Sequence, residues 1–169
     1  MIDRVLEREG GFVDHPFDKG GPTNKGITLE TLKDYLGHAP TLAELRDLTT
    51  ETARDIYFQK YMEAPGFGEI SSDAIRELLF DAGVNSGPKN AVKMLQRTLN
   101  KMLSVPLDVD GVMGKKTIEA MQGQLIAKMV NGLLAQRLRF YADICRVNPR
   151  QTAFAAGWMN RVAGLLEGL

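Results

Sequence analysis

A mainly α-helical fold with a small loop or β-hairpin after the first helix is what this sequence predicts, and three observations predict it. Apolar residues recur at helical spacing along most of the chain. Ser, Thr or Pro stands where several of those stretches begin, and Gly or Pro where they end. The stretch from Phe12 to Ile27 breaks the period, and its glycines and prolines suit turns and extended chain instead.

Taken in order, Ile2, Val5 and Leu6 define one face of a first helix that Gly10 and Gly11 end. Glu9 follows Leu6 by three residues and Val5 by four, so it is predicted on that apolar face. Glu7, turned about 100° per residue away, is predicted on the wet face with Asp3 and Arg4. After the Gly20-Gly21-Pro22 turn, Thr28 starts a helix to Tyr35 or Leu36 that Gly37 stops, and Thr41 caps a short one containing Leu42 and Leu45. Thr49-Thr50-Glu51-Thr52 precedes an amphipathic helix with Ala53, Ile56, Tyr57 and Tyr61, ended by Pro65 and Gly66.

Ser71 or Ser72 opens the next helix, with Ile75, Leu78, Leu79, Ala82 and Val84 as core candidates. Pro88 begins another, carrying Val92, Leu95, Leu99 and Leu103 at heptad-like spacing. The turn Asp108-Val109-Asp110-Gly111 leads through Gly114 into a helix with Thr117, Ile118 and Met121. Beyond Gly123, the residues Leu125, Ile126, Met129, Val130, Leu133, Leu134, Leu138 and Tyr141 give a long helix a broad apolar surface, predicted to be central to the fold. Asn148-Pro149 ends it, and Phe154, Trp158, Val162 and Leu165 form one stripe of a final helix, with Trp158 read as core.

Composition narrows the class. A chain of 169 residues buries about two thirds of its unfolded surface on folding. With 21 basic and 21 acidic residues its net charge is zero, so no global field draws it to nucleic acid or an anionic membrane. Arg137, Arg139, Arg146, Arg150 and Arg161 outnumber Asp143 and Glu167 from Lys128 onward, and are read as a solvated basic helix face that would also suit an anionic wall polymer. A lone Cys145 excludes an internal disulfide and is read as a small core residue. The two histidines lack metal-ligand spacing, and the Asp108 turn lacks the third oxygen position and the spaced Glu of a calcium loop. No metal and no cofactor is therefore expected. The charged start lacks the apolar core of a signal peptide, and no run reaches the length of a membrane span, so synthesis in the cytoplasm is expected.

Chemistry is concentrated between Glu7 and Thr28. A carboxyl group held against apolar surface is costly to ionise, which is what a general acid needs. Glycosidic cleavage takes a proton to the leaving oxygen and a second group on the opposite side of the sugar. Glu9 is the candidate acid, Asp18 or Asp14 the candidate partner, and the Gly20-Gly21-Pro22 turn lets Asp18 and Thr23 swing back towards it. The residue types alone serve equally well as a Gly-capped helix followed by a polar surface turn. Tyr57 and Tyr61, four apart, share a helix face that could line a sugar cleft or pack in a rim. Asn85 could bind an N-acetyl group, cap the helix at Pro88, or both, and Asp81, four residues before it, could position it or bind an arginine.

The run Glu9-Gly10-Gly11-Phe12, followed by Asp14, the Pro16 and Asp18 region and Gly20-Gly21-Pro22-Thr23-Asn24-Lys25-Gly26-Ile27-Thr28, resembles the signature of glycoside hydrolase family 108. These are bacterial and phage N-acetylmuramidases, some called secretion activator proteins. Leu79-Phe80-Asp81-Ala82-Gly83-Val84-Asn85-Ser86-Gly87-Pro88 resembles a second family segment, and Tyr57-Phe58-Gln59-Lys60-Tyr61-Met62 a third in which two Trp positions have become Phe58 and Met62. Leu95-Gln96 with Asp110-Gly111-Val112-Met113-Gly114-Lys115-Lys116-Thr117 is similar to the family's C-terminal peptidoglycan-binding region. Phe12 replaces the family's usual Tyr and keeps only its aromatic packing. A looser similarity to phage lysozymes, which place Glu, Asp and Thr in that order, points at Glu9, Asp18 and Thr23, with Asp14 the rival for the second position.

The resemblance implies a lysozyme-like, two-lobed helical domain packed as one unit, with a catalytic lobe over 1–86 and a helical, peptidoglycan-binding lobe over 87–169. It implies a muramidase that cuts between N-acetylmuramic acid and N-acetylglucosamine, with Glu9 as acid, Asp18 and Thr23 beside it, and Asp14, Asn24, Tyr57, Tyr61 and Asn85 binding substrate. A lytic transglycosylase and a non-catalytic peptidoglycan-binding secretion factor are the alternatives. The expected partner is the peptidoglycan glycan strand, met by a monomer in the periplasm after release through the pore of a separate holin.

Overall fold

Helices dominate both parts of the chain in the computed structural model, which describes residues 2–14 and 21–168. The chain divides between Ala64 and Pro65 into two compact units.

In the first unit, helix α1 (Ile2–Glu9) buries Val5 and Leu6 and packs on α4 (Thr50–Phe58). A three-stranded antiparallel sheet in the order β1 (Phe12–Val13), β2 (Thr23–Asn24), β3 (Ile27–Thr28) follows it. Phe12 pairs with Asn24 and Val13 with Thr23, while Asn24 pairs with Ile27 across a two-residue turn. Lys25 and Gly26 in that turn have φ of 51° and 73°, the left-handed pair that matches the twist of a tight hairpin.

Thr28 both ends β3 and caps α2 (Leu29–Leu36), accepting the amide of Thr31, and Gly37 closes the helix in the left-handed conformation. Thr41 and Glu44 form a reciprocal capping box on α3 (Leu42–Arg46). The backbone and side-chain bonds from Thr41 hold the Glu44 carboxyl down at about 2. Past Phe58 the helix widens into a π turn, Gln59–Glu63, which carries Tyr61 and the buried Met62.

In the second unit, a 3-10 turn (Phe67–Glu69) precedes α5 (Asp73–Ser86), capped by Ser72. Gly87, at φ 84°, joins it to α6 (Pro88–Leu99), with Pro88 where its missing N–H costs nothing. α7 (Lys115–Met121) is short, and α8 (Ile126–Val147) packs on both α5 and α6. A 3-10 turn (Pro149–Phe154) and α9 (Ala155–Glu167) close the unit. Ile75, Leu79, Phe80, Leu95, Leu99 and Met129 are essentially inaccessible here, each contributing about 1.5–3 kcal/mol of burial. Gly132 of α8 lets α6 approach closely, since an added Cβ would stand 2.3 Å from Thr98 Cγ2.

The mainly α, lysozyme-like architecture with its small sheet after the first helix is as the sequence predicts, with local corrections. The helix from Pro88 stops at Leu99 rather than reaching Leu103, because Asn100 turns the chain by bonding both the amide and the carbonyl of Leu107. Leu125 and Leu138 are 62% and 44% exposed, so the long helix is less wrapped than its apolar pattern implies. Val84, Cys145 and Trp158 are half-buried rather than core. In the Asp110-Gly111 turn, the buried Gln96 organises the loop, accepting the Gly111 amide at 2.9 Å and donating to Asp110 Oδ1 at 2.7 Å.

Candidate active site

Glu9 ends α1, and its carboxyl group rests on the hairpin turn. A Cβ placed on Gly26 would lie 2.8 Å from Glu9 Oε2 and 2.5 Å from Tyr57 Oη. Only a residue without a side chain leaves both groups there, and the positive φ asks for glycine as well. The turn beneath is fixed from three sides. Asn24 Nδ2 donates to the carbonyls of Leu45 and Arg46, each at 2.9 Å, Lys25 Nζ donates to the Leu48 carbonyl at 2.9 Å, and Tyr57 Oη donates to the Lys25 carbonyl at 3.1 Å. Gly26→Ala is therefore expected to push the Glu9 carboxyl aside and to lower any turnover that depends on its placement by about 10²-fold, a size set by the precision that positioned groups need. Steady-state turnover beside a thermal melt of the same protein checks this.

Tyr61 is near enough to Glu9 to feel its charge. Burial first, and the negative charge of Glu9 second, push its phenol above the ordinary value. Its ring tilts 33° against that of Tyr57 at 5.4 Å between centroids, and Lys60 Nζ lies 5.6 Å from its centroid while donating to Thr31 Oγ1. Phe12 packs beneath the guanidinium of Arg46 at 4.9 Å, a contact that needs the ring face and no hydroxyl.

The structure brings Glu9, Gly26, Tyr57 and Tyr61 together, with Thr23 on the adjacent strand pair. Asp14 is exposed directly after β1, and Asp18 lies outside the described residues. Several expectations are corrected. Glu9 is exposed rather than buried, because the apolar contact of α1 ends with Val5 and Leu6 and its last residue overhangs the turn. Tyr57, 3% exposed, has no ring face for a sugar and instead braces the turn. Asn24, also 3% exposed, holds the hairpin to α3 through its amide nitrogen rather than offering it to substrate.

Asn85 belongs to the second unit and stands at the end of a buried polar chain. Asp81 accepts Arg161 through Nε at 3.0 and 2.9 Å and contacts Arg137 Nη2 at 2.6 Å. Arg137 Nε donates to Tyr141 Oη at 2.7 Å, and Tyr141 donates to Asn85 Oδ1 at 2.6 Å. The ring of Tyr141 stacks on Trp158 at 4.9 Å and 15°. Burial opposes the charge of Asp81, yet the two guanidiniums outweigh it and hold the carboxyl below the usual range.

Sequence reasoning missed Gly26 and the pair Arg137 and Tyr141. The signals were present: Asn-Lys-Gly is a tight-turn string, and Arg137 and Tyr141, like Asp81 and Asn85, are four residues apart and share a helix face. Among the described residues no group of three His, Cys, Asp or Glu could hold a metal, and no helix is long and apolar enough to cross a membrane.

The family model of glycosyl hydrolase 108 matches residues 2–87, and that of a predicted peptidoglycan domain matches residues 90–163. The first match thus runs on through α5, which packs with α6 and α8 in the second unit. Twelve solved chains also match. One is the structure of Brucella abortus SagA, 34% identical, covering 97% of this chain and 88% of that one with a TM-score of 0.79. No curated protein matches.

Proposed function

The chain belongs to the glycosyl hydrolase 108 family, and from that premise we propose that this peptidoglycan-acting hydrolase is an N-acetylmuramidase with Glu9 as its general acid. What carries the reading is the seat of the Glu9 carboxyl on the Gly26 turn, held by Tyr57 and bordered by Tyr61. A glycan laid over this exposed carboxyl would strip its water, so that the substrate rather than the fold supplies the environment in which the proton is held until transfer. Glu9 then delivers it to the oxygen bridging N-acetylmuramic acid and N-acetylglucosamine. Asp18, with Thr23 beside it, or else Asp14, supports water or the developing cation, and Tyr61 meets the sugar with its half-buried ring. Residues 87–169 hold the glycan strand, and the place of action is the periplasmic wall.

Digestion of purified Gram-negative peptidoglycan, with the released muropeptides weighed, tests this. New muramic reducing ends are expected. Products lighter by one water would replace the muramidase by a lytic transglycosylase, and binding without any release would leave a wall-binding protein. Asp14→Asn and Asp18→Asn variants in the same assay identify the partner of Glu9.

A further inference from the structure

We propose that Tyr141 and Arg137 are positioning residues that lock the Asn85 side chain as a hydrogen-bond donor, and that this donor selects the acetamido carbonyl of N-acetylated glycan. The proposal rests on the reading that the chain binds peptidoglycan glycan.

The direction of each bond follows from what each group can do. A guanidinium only donates, so at the 2.7 Å contact with Arg137 Nε the oxygen of Tyr141 accepts. Its own proton must go elsewhere, and Asn85 Oδ1 receives it at 2.6 Å. Were the Asn85 amide reversed, its nitrogen would face an oxygen already accepting, and the phenolic proton of Tyr141, only 5% exposed, would lack an acceptor. Ser86 Oγ donates to the same Oδ1 at 3.2 Å, which occupies the second lone pair. The amide nitrogen thus keeps its two protons on the far side, where no hydrogen-bond partner among the described residues meets them, on a side chain only partly buried. Asp81 anchors Arg137 at 2.6 Å and Trp158 stacks on Tyr141, so the order from carboxylate to amide cannot easily reverse.

A fixed donor pairs with a carbonyl oxygen and opposes an ammonium. On a peptidoglycan strand, removing the acetyl group makes that exchange at each sugar. The relay therefore makes the chain sensitive to glycan N-acetylation, with Asn85 as the contact and Tyr141 and Arg137 acting through it.

The test is sedimentation binding of the full chain carrying Glu9→Gln, so that cleavage does not alter the polymer. It uses matched peptidoglycan samples, one native and one chemically de-N-acetylated. The parent is expected to bind the native polymer about fivefold more tightly, the worth of one net hydrogen bond. Adding Tyr141→Phe, which removes the proton that orients the amide, should bring the ratio of the two affinities towards one. Adding Asn85→Asp keeps the oxygen that Tyr141 and Ser86 need but replaces the donor by a carboxylate, and should turn the preference towards the de-N-acetylated polymer. Because each variant is judged by a ratio, a general loss of stability does not imitate the effect. Equal binding of both polymers by the parent, an unchanged ratio in both variants, or no binding to either polymer would overturn the proposal. A parent that discriminates while the unmutated enzyme releases no muropeptides would instead overturn the muramidase reading and leave this one standing.

Discussion

Glu9→Gln is expected to lower peptidoglycan cleavage by about 10²–10⁴-fold, the range that a positioned general acid supplies, while leaving the fold intact. Glutamine keeps the shape of the side chain against the Gly26 turn but has no carboxyl proton to give. Glu9 is exposed and the apolar contact of α1 is made by Val5 and Leu6, so the stability change should stay within about 0.5 kcal/mol, as for surface substitutions generally. The measurement is release of reducing ends by wild type and variant at matched concentration, beside urea melts of both. A variant with half the wild-type rate would remove Glu9 from the chemistry. A variant that unfolds far earlier would assign it a structural role.

Replacing Asp81 should produce the largest loss of stability. Its side chain sits between Arg137 and Arg161, whose side chains are 3% and 15% exposed, and Arg137 Nη1 has no hydrogen-bond partner among the described residues. Asp81→Ala leaves two guanidiniums in a poorly hydrated interior without their anion, and breaking a buried pair in this way costs about 3–5 kcal/mol. The pH dependence carries a second signature. The folded carboxyl is held below its ordinary value, so its contribution is complete above the unfolded value of about 3.9 and is lost as pH falls through the lowered folded value. Urea unfolding across pH should show wild type and Asp81→Ala separated by a constant gap at neutral pH, narrowing below about pH 4. A gap that widens in acid, or one below about 1 kcal/mol at pH 7, would contradict a buried ion pair of this strength.

Much of the fold was legible because caps and periods are local. Thr28, Thr41, Thr49 and Ser72 each cap the helix expected of them, since a side-chain oxygen accepting an amide three residues on depends on little else. Leu103 was misread for the opposite reason. Its spacing suited the helix, but Asn100 found a better partner in Leu107. The site was legible in its residue types and less so in its environments. Helical phase put Glu9 on the apolar face but could not tell that the contact of that face ends with Val5 and Leu6 and leaves Glu9 exposed. The pair Tyr57 and Tyr61 was correctly placed on one face, yet only their neighbours make one a brace for Lys25 and the other the border of Glu9.

The sequence by itself determined the mainly α class, most helix starts, the family and the glutamate at the end of the first helix. Each of these rests on residues near one another in the chain. Tertiary structure alone decided that Gly26 must be bare so that Glu9 and Tyr57 can both reach the turn, that Asp81 serves two arginines, and that Asn85 faces Tyr141 across 56 residues. Those relations depend on distance and hydrogen-bond direction between remote segments, which helical periodicity does not encode and packing alone fixes.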